Sequence, residues 1–172
     1  MSTADAPPPA QGRADVVPAL PSGLTAAIAT LAGQYAQPRA ACVEALKCVQ
    51  QHFGCVDDAR LRALASLLGM SAEELDGVAT YYNLIYRRPV GRHVIHLCDS
   101  VSCWLRGEEQ LCAQLEQRLG IRLGETTADR RFTLLPIVCL GYCDHAPALM
   151  IDNDLHGDLL PDFTDRILEK YF

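Results

Sequence analysis

Lysine is scarce in this chain of 172 residues, where Lys47 and Lys170 are the only two. The chain also contains neither a GxGxxG fingerprint nor a P-loop, the short motifs that mark many nucleotide sites. Its 21 acidic and 15 basic side chains give a net charge of −6, so it lacks the basic surface that nucleic acids and anionic membranes require. We therefore expect no nucleotide site and no nucleic-acid partner.

The sequence has no apolar run that approaches the length of a membrane span. Residues 1–21 lack the basic and apolar regions of a secretory signal, and Asp5 and Asp15 fit a transit peptide poorly. We therefore expect a chain in the reducing cytoplasm, without membrane insertion. Eight cysteines in that compartment are not expected to form a disulfide framework, so metal ligation or redox chemistry is the expected use of some of them.

The first half of the chain has the pattern of short helices. Residues 1–21 are rich in Pro and Ala and show no periodicity, which predicts a disordered tail. From residue 22 to residue 90 the apolar spacing predicts a small bundle of four helices. The expected landmarks are a first helix that carries Leu24, Ile28, Leu31 and Tyr35 and ends near Pro38, a second that stops at Gly54, a third from Asp57 or Asp58 to Gly69, and a fourth opened by a capping box of Ser71 and Glu74.

The pattern changes after Pro89 to that of a mixed sheet. Short runs rich in branched residues predict strands at 93–98, 132–138, 148–151 and 155–160, and a helix that stops at Gly120 is expected between the first two. Pro161 is expected to start a final helix whose inward residues are Phe163, Ile167, Leu168 and Tyr171. The predicted fold is therefore α+β, with a helical domain at 22–90 followed by a small thioredoxin-like α/β domain at 91–172.

Two cysteine pairs stand at the ends of two predicted strands. Cys98 and Cys103 belong to CDSVSC, Cys139 and Cys143 belong to CLGYC, and 35 residues separate the pairs. Loops at strand ends are the usual place for ligand sites in such sheets. If the fold brings the two loops face to face, four thiolates can hold one metal centre.

Three interpretations of the four cysteines compete. Structural zinc sites commonly leave two residues between ligands, and a thioredoxin-type dithiol also needs two, whereas these pairs leave four and three. A gap of four residues occurs in plant-type [2Fe–2S] proteins. The spacing therefore favours an iron–sulfur cluster, while zinc and ordinary buried thiols stay open as alternatives.

The surroundings of the pairs suggest how such a cluster would be tuned. Gly141 would let backbone amides approach sulfur, although it could equally be an ordinary turn glycine. A helix that begins near Trp104 would point its positive end at Cys103. Asp99 and Asp144 oppose this effect, and we predict a low reduction potential.

The remaining cysteines and histidines are expected to be structural. Packing in the core is the expected role of Cys42, Cys48, Cys55 and Cys112, and also of Trp104. Cys48, His52 and Cys55 could be drawn as a metal trio, but no fourth ligand is evident. His93 and His96 are three apart on a strand and so lie on opposite faces, which prevents them from chelating one ion.

Taken together, the two cysteine motifs and their flanks resemble the E subunit of bacterial NADH:quinone oxidoreductase, a thioredoxin-like [2Fe–2S] ferredoxin of respiratory complex I. The likeness runs from about Tyr35 to the C-terminus and includes PRAACVEALKCVQ, GVATYYNLIYRRPVGRHVI, CDSVSC and RFTLLPIVCLGYCDHAPALMID. It implies that Cys98, Cys103, Cys139 and Cys143 ligate one [2Fe–2S] cluster, and that the chain carries no catalytic residues of its own. The tail at 1–21 lies outside the likeness.

The resemblance also implies partners. A flavoprotein subunit would bind FMN and NADH and pack against the helical domain, alongside other subunits of the NADH-oxidising peripheral arm at the cytoplasmic face of the inner membrane. Small subunits of NAD-dependent formate dehydrogenases and NAD-reducing hydrogenases look similar and form a close alternative. An alternative of another class is a structural zinc-binding assembly module.

Overall fold

The computed structural model of the protein describes residues 19–159 and 163–172. Four α-helices come first, in the order α1 Ser22–Ala32, α2 Cys42–Phe53, α3 Asp58–Leu68 and α4 Ala72–Tyr81, with a 3-10 turn at Pro38–Ala41. Their apolar stripes meet in one core, whose centre is formed by the fully buried Leu46, Leu64 and Leu75. No helix in the described part of the chain is both long and apolar enough to cross a membrane.

Local signals in the sequence fix most of these helix ends. Gly54 and Gly69 follow α2 and α3 with φ of 81° and 65°, the left-handed conformation that glycine adopts without strain. Asp57 caps α3 by accepting the Arg60 amide at 2.9 Å. The Ser71 and Glu74 capping box is present in both directions, as predicted.

The beginning of the helical bundle differs from the prediction in one helix end. α1 ends at Ala32 rather than near Pro38, and Tyr35 is 39% exposed instead of continuing the buried stripe. Gly33 favours an end at this point, because glycine is a poor helix former. Leu20, which falls within the predicted tail, is buried in the bundle core, whereas residues 1–18 lie outside the described residues.

The second half contains a four-stranded mixed sheet, and the α+β prediction is confirmed. The strands are β1 His93–Cys98, β2 Phe132–Ile137, β3 Leu149–Ile151 and β4 Asp154–His156, and their order is β2-β1-β3-β4. β1 and β2 run parallel, whereas β3 is antiparallel to β1 and β4 is antiparallel to β3. The helices of this half are α5 Val101–Leu105, α6 Glu108–Leu119 and α7 Phe163–Leu168, with 3-10 turns at Cys143–His145 and Glu169–Tyr171.

The two faces of the sheet contact different parts of the chain. One face forms a second core with α6 and α7, made mainly of Ile95, Leu97, Phe132, Leu134, Leu149, Ile151, Leu111, Leu115, Ile167 and Leu168. On β1, His93 lies against Phe132 with ring centres 5.7 Å apart. His96 instead stacks on Tyr86 at 5.9 Å. The two histidines therefore point to opposite faces, as predicted.

Several predicted boundaries in the second half were too long. β2 stops at Ile137 and leaves Val138 68% exposed, and β4 covers only Asp154–His156. The predicted helix start at Pro161 lies outside the described residues. Instead of one helix beginning near Trp104, the chain forms α5 and α6, separated at Gly107, which has φ of 98°. A left-handed residue of this kind interrupts a helix and lets the chain change direction.

Candidate metal centre

The parallel pairing of β1 and β2 brings the two cysteine loops to the same edge of the sheet. Cys98 is the last residue of β1 and pairs in register with Ile137, the last residue of β2. The amide of Asp99 donates to the Ile137 carbonyl at 3.0 Å, so pairing continues into the first loop. Parallel neighbours end on the same side of a sheet, and Cys139 follows β2 by two residues. The sheet therefore brings the two cysteine loops together, as a metal centre shared by both pairs requires.

The four cysteines form two pairs, one from each loop, and a thiol of the first pair interacts with a thiol of the second. The Sγ atoms of Cys139 and Cys143 are 3.8 Å apart. Two thiolates bound to one tetrahedral ion at about 2.3 Å each would be separated by about 3.8 Å, so this pair already has the spacing of shared ligands. The Cys98 thiol interacts with the thiols of both Cys103 and Cys139, which joins the first pair to the second.

In residues 19–159 and 163–172 no group of three or more His, Cys, Asp or Glu side chains is placed to hold one metal ion. A mononuclear zinc site with four cysteines needs such a group. A binuclear cluster needs only two thiolates on each iron, so two cysteine pairs can supply the ligands of one [2Fe–2S] cluster.

The two pairs differ in exposure. Cys98 and Cys103 are each 2% exposed and pack with Ala146 and Ala148 beneath the loops. Cys139 and Cys143 are exposed at the surface. A centre held by all four would therefore be seated in the protein on one side and close to solvent on the other.

Hydrogen bonding favours the thiolate form of Cys139. Gly141 has φ of 73°, and its amide donates to the Cys139 sulfur at 3.4 Å, which is the main cause that lowers the pKa of this thiol. Burial raises the pKa of Cys103 to about 11. The pKa of Cys143 is raised chiefly by its hydrogen bond with Cys139. Metal binding must therefore displace protons from Cys103 and Cys143, as is usual for thiolate sites.

Acidic groups surround the centre. Asp99 is exposed and adjoins Cys98, and Asp144 follows Cys143 with its carboxylate 3.5 Å from the His145 ring. Glu108, at the start of α6, is 8% exposed, and burial followed by the charge of Asp99 raises its pKa. Negative charge near a cluster opposes its reduction. The low reduction potential expected from the sequence stays a prediction, and these acidic side chains support it.

Two expectations about the first loop were wrong. Cys103 is the third residue of α5 and lies inside this helix, so no helix that begins near Trp104 points its end at the sulfur. Trp104 is 55% exposed rather than buried, and its indole N–H donates to Glu109 at 3.0 Å. In a short helix whose buried side is occupied by Cys103, the next residue turns toward solvent.

The other cysteines pack as expected. Cys42 and Cys48 lie against the helical core and Cys112 against the sheet core, whereas Cys55 is buried with the Arg60 guanidinium 4.0 Å from its sulfur. His52 meets Phe53 edge-on. The trio of Cys48, His52 and Cys55 does not form a metal site, since no such group occurs among the described residues.

The sequence interpretation missed Ser100 and Ser102, whose side chains interact with the thiols of Cys139 and Cys143. The signal was present in CDSVSC, where hydroxyl residues alternate between the two cysteines. It could not be interpreted without knowing that the second loop folds over the first.

Comparisons with known proteins agree with this geometry. The family described as thioredoxin-like [2Fe–2S] ferredoxin matches residues 28–172. The chain is 53% identical over 137 residues to the E subunit of the NADH-quinone oxidoreductase of Pseudomonas aeruginosa strain PAO1, covering 80% of this chain and 82% of that protein. It is 51% identical to the corresponding protein of Escherichia coli strain K12, with the same coverage. A crystal structure of NAD+-reducing [NiFe]-hydrogenase superposes with a TM-score of 0.62 at 27% identity, covering 76% of this chain and 22% of the hydrogenase chain.

Proposed function

The chain belongs to the thioredoxin-like [2Fe–2S] ferredoxin family, and from this premise we propose that it is the electron-transfer E subunit of an NADH:quinone oxidoreductase. The observation that carries the proposal is the meeting of two cysteine pairs at one edge of the sheet, with one pair buried and one exposed. The matched relatives are subunits of an oxidoreductase complex, so this chain works as part of a larger enzyme.

We propose that Cys98, Cys103, Cys139 and Cys143 hold one [2Fe–2S] cluster. Such a cluster supplies reversible one-electron chemistry when it is bound. Cys98 and Cys103, which are buried, would hold it at the end of β1, and the exposed Cys139 and Cys143 would hold it on the side nearer to solvent. The Gly141 amide supplies a hydrogen bond to the Cys139 sulfur, which offsets part of the negative charge of the thiolates.

The flavin chemistry is assigned to a partner. This chain has no GxGxxG or P-loop, so we propose that FMN and NADH bind to a flavoprotein subunit and that no complete active site lies on this chain. Tyr81 and Tyr82 are 78% and 45% exposed at the end of the helical bundle, which gives that partner an apolar surface to cover. The assembly would lie in the peripheral arm at the cytoplasmic face of the inner membrane, without nucleic acid and without membrane insertion by this chain.

A second host complex is favoured by one observation. The likeness to the NAD+-reducing hydrogenase covers 76% of this chain, so the same module could serve a hydrogenase. A formate dehydrogenase is the further host that the sequence resemblance adds. The subunits that copurify with the chain from its own host distinguish these assemblies. Recovery of hydrogenase or formate dehydrogenase subunits, in place of quinone oxidoreductase subunits, would reject our assignment.

The cluster is tested by iron and acid-labile sulfide analysis of anaerobically purified protein, with an electron paramagnetic resonance (EPR) spectrum after dithionite reduction. We expect two irons and two sulfides per chain. Cys139→Ser should lose the visible absorbance, whereas Cys112→Ser is the matched control and should keep it, because Cys112 packs against the sheet core. Colourless protein that contains zinc and no sulfide would instead establish the structural zinc module.

A further inference from the structure

Residues 157–159 leave β4 at the same edge of the sheet as the two cysteine loops. His156, the last residue of β4, pairs with Leu149 of β3. Leu149 in turn pairs with Leu97, the residue before Cys98. Residues 157–159, which we call the strap, therefore start beside the candidate metal centre.

Three hydrogen bonds join the strap to the second cysteine loop. The Asp158 amide donates to the His145 carbonyl at 2.6 Å, and the Leu159 amide donates to the Pro147 carbonyl at 3.4 Å. The Asp158 Oδ2 atom lies 2.6 Å from Nδ1 of His145. A carboxylate only accepts hydrogen bonds, so the His145 ring is the donor. His145 belongs to the same 3-10 turn as Cys143, and the strap therefore holds the turn that carries this cysteine.

Gly157 lets the strap approach this turn more closely than any side chain would allow. A Cβ atom at position 157 would lie 2.5 Å from the Cβ of His145, 2.7 Å from its carbonyl oxygen and 2.7 Å from Cε1 of Tyr142. Carbon atoms pack best at about 3.5–4.0 Å, so even alanine would have to displace the strap or the turn. Tyr142 directly precedes Cys143, so a displaced turn would move that sulfur as well.

The backbone of Asp158 directs two of its groups at one histidine. Asp158 has φ of 52°, in the left-handed region that Asp and Asn adopt more readily than most residues. In this conformation its amide reaches the His145 carbonyl while its carboxylate reaches the His145 ring. A single residue of the strap therefore fixes both the backbone and the side chain of His145.

We propose that Gly157 and Asp158 are positioning residues that hold the turn Cys143–His145, and so keep the exposed cysteine pair where the cluster needs it. The inference rests on the proposed function, because it requires a cluster on the four cysteines. The buried pair is packed inside the protein, whereas the exposed pair lies at the surface. If the turn moves away from the strap, Cys143 moves away from the buried pair, and the cluster loses a ligand.

The first test compares two crowded glycines at opposite ends of the sheet. The full chain with its cluster assembled is mixed with excess EDTA, and loss of visible absorbance gives the rate of cluster loss. We expect Gly157→Ala to lose the cluster about tenfold faster or more, because overpacking displaces the turn. Gly91→Ala is the matched control, since a Cβ there would lie 2.9 Å from the Phe132 backbone, next to the start of β1. It should stay within about twofold of the unsubstituted rate, even where it lowers the Tm.

The second test separates the hydrogen bond from the backbone conformation. Asp158→Asn and Asp158→Gly both suit a left-handed backbone, but only asparagine keeps an acceptor for the His145 ring. We expect cluster loss about fivefold faster in Asp158→Gly and within about twofold of the unsubstituted rate in Asp158→Asn. Asp152→Gly is the control, because Asp152 has φ of 55° and holds the His93 ring at 2.7 Å beside the start of β1. Its rate should not change.

Amide hydrogen exchange in the metal-free chain supplies a readout that does not depend on iron. The His145 amide donates to the Tyr142 carbonyl at 3.1 Å, and Gly157→Ala should speed its exchange while Gly91→Ala should not. Unchanged exchange in Gly157→Ala, or equal rates of cluster loss in Asp158→Gly and Asp158→Asn, would overturn the inference. The Asp158 pair decides alone if Gly157→Ala does not fold. Failure of the proposed function has a different signature, since the unsubstituted chain would then contain no iron and no sulfide, and the inference would fall with it.

Discussion

The two halves of the chain have separate apolar cores, so a cavity made in one should leave the other folded. The residues of the helical core and those of the sheet core do not overlap. Leu46 is 0% exposed at the centre of the helical core, and replacing a buried leucine with alanine typically costs about 3 kcal/mol or more. At about 1.4 kcal/mol per tenfold change, Leu46→Ala should lower the folding equilibrium constant of the helical half roughly a hundredfold.

Two probes read the halves separately during a urea titration. Amide hydrogen exchange in α2 and α3 reports the helical half, and visible absorbance of the assembled cluster reports the loops at the end of the sheet. In Leu46→Ala, the helical amides should lose protection at lower urea concentration while the absorbance midpoint stays close to its original value. Leu134→Ala is the matched control, since Leu134 is 0% exposed in the sheet core. In that variant the absorbance midpoint should move to lower urea concentration while the helical amides keep their protection. If either substitution moves both probes together, the proposed division near residue 90 is wrong.

Two further predictions concern pH and capping. Burial raises the pKa of Tyr86 and Tyr171 from 10.0 to about 12, so the stabilisation from their neutral form is complete below pH 10 and is lost as the pH rises to 12. Tyr86→Phe should reduce this loss of stability in alkaline urea titrations. Phenolate absorbance showing every tyrosine of the folded protein ionised near pH 10 would contradict this prediction. Ser71→Ala removes the α4 capping box and should lower the free energy of unfolding by about 1 kcal/mol. Ser66→Ala, on the exposed side of α3, is the control and should not lower the Tm. Equal Tm values for the two variants would show that the cap does not contribute.

The sequence predicted best those features that depend on neighbouring residues. The ends of α2 and α3 follow from single glycines, and the start of α4 follows from two side chains three positions apart. These signals act within one turn of helix, so all the interacting groups stand close together in the sequence. The strand His93–Cys98 was also predicted with its bounds, because it is a short apolar run between polar segments.

The details of the candidate site depended on contacts that are distant in the sequence. The spacing of the cysteines suggested a shared centre, but the parallel pairing of β1 with β2 decides that the two loops meet. Likewise, Trp104 has an apolar side chain that suits a core, and only the burial of Cys103 on the same short helix shows why it faces solvent. The interactions of Ser100 and Ser102 with cysteines of the second loop could not be predicted for the same reason.

Gln50 connects the helical bundle to the segment that leads into the sheet. Its side-chain amide donates to the Leu84 carbonyl at 2.8 Å, and its side-chain oxygen accepts the Tyr86 amide at 2.5 Å. The Tyr86 ring in turn stacks on His96 of β1 at 5.9 Å. Gln50 therefore holds in place the residue through which the segment contacts the strand that ends in Cys98.

Gln50→Ala should destabilise this connection more than the bundle itself. Two hydrogen bonds of about 1 kcal/mol each are lost, and one of the freed groups is partly buried, so we expect a loss of about 2 kcal/mol. Hydrogen exchange should accelerate at the Tyr86 amide, while the amides of β1 stay protected by their pairing with β2. Gln51→Ala is the matched control, because Gln51 is the next residue of α2 and is exposed. Equal exchange at Tyr86 in the two variants would mean that the backbone bond from Val56 to the Tyr86 carbonyl is sufficient to hold the segment without Gln50.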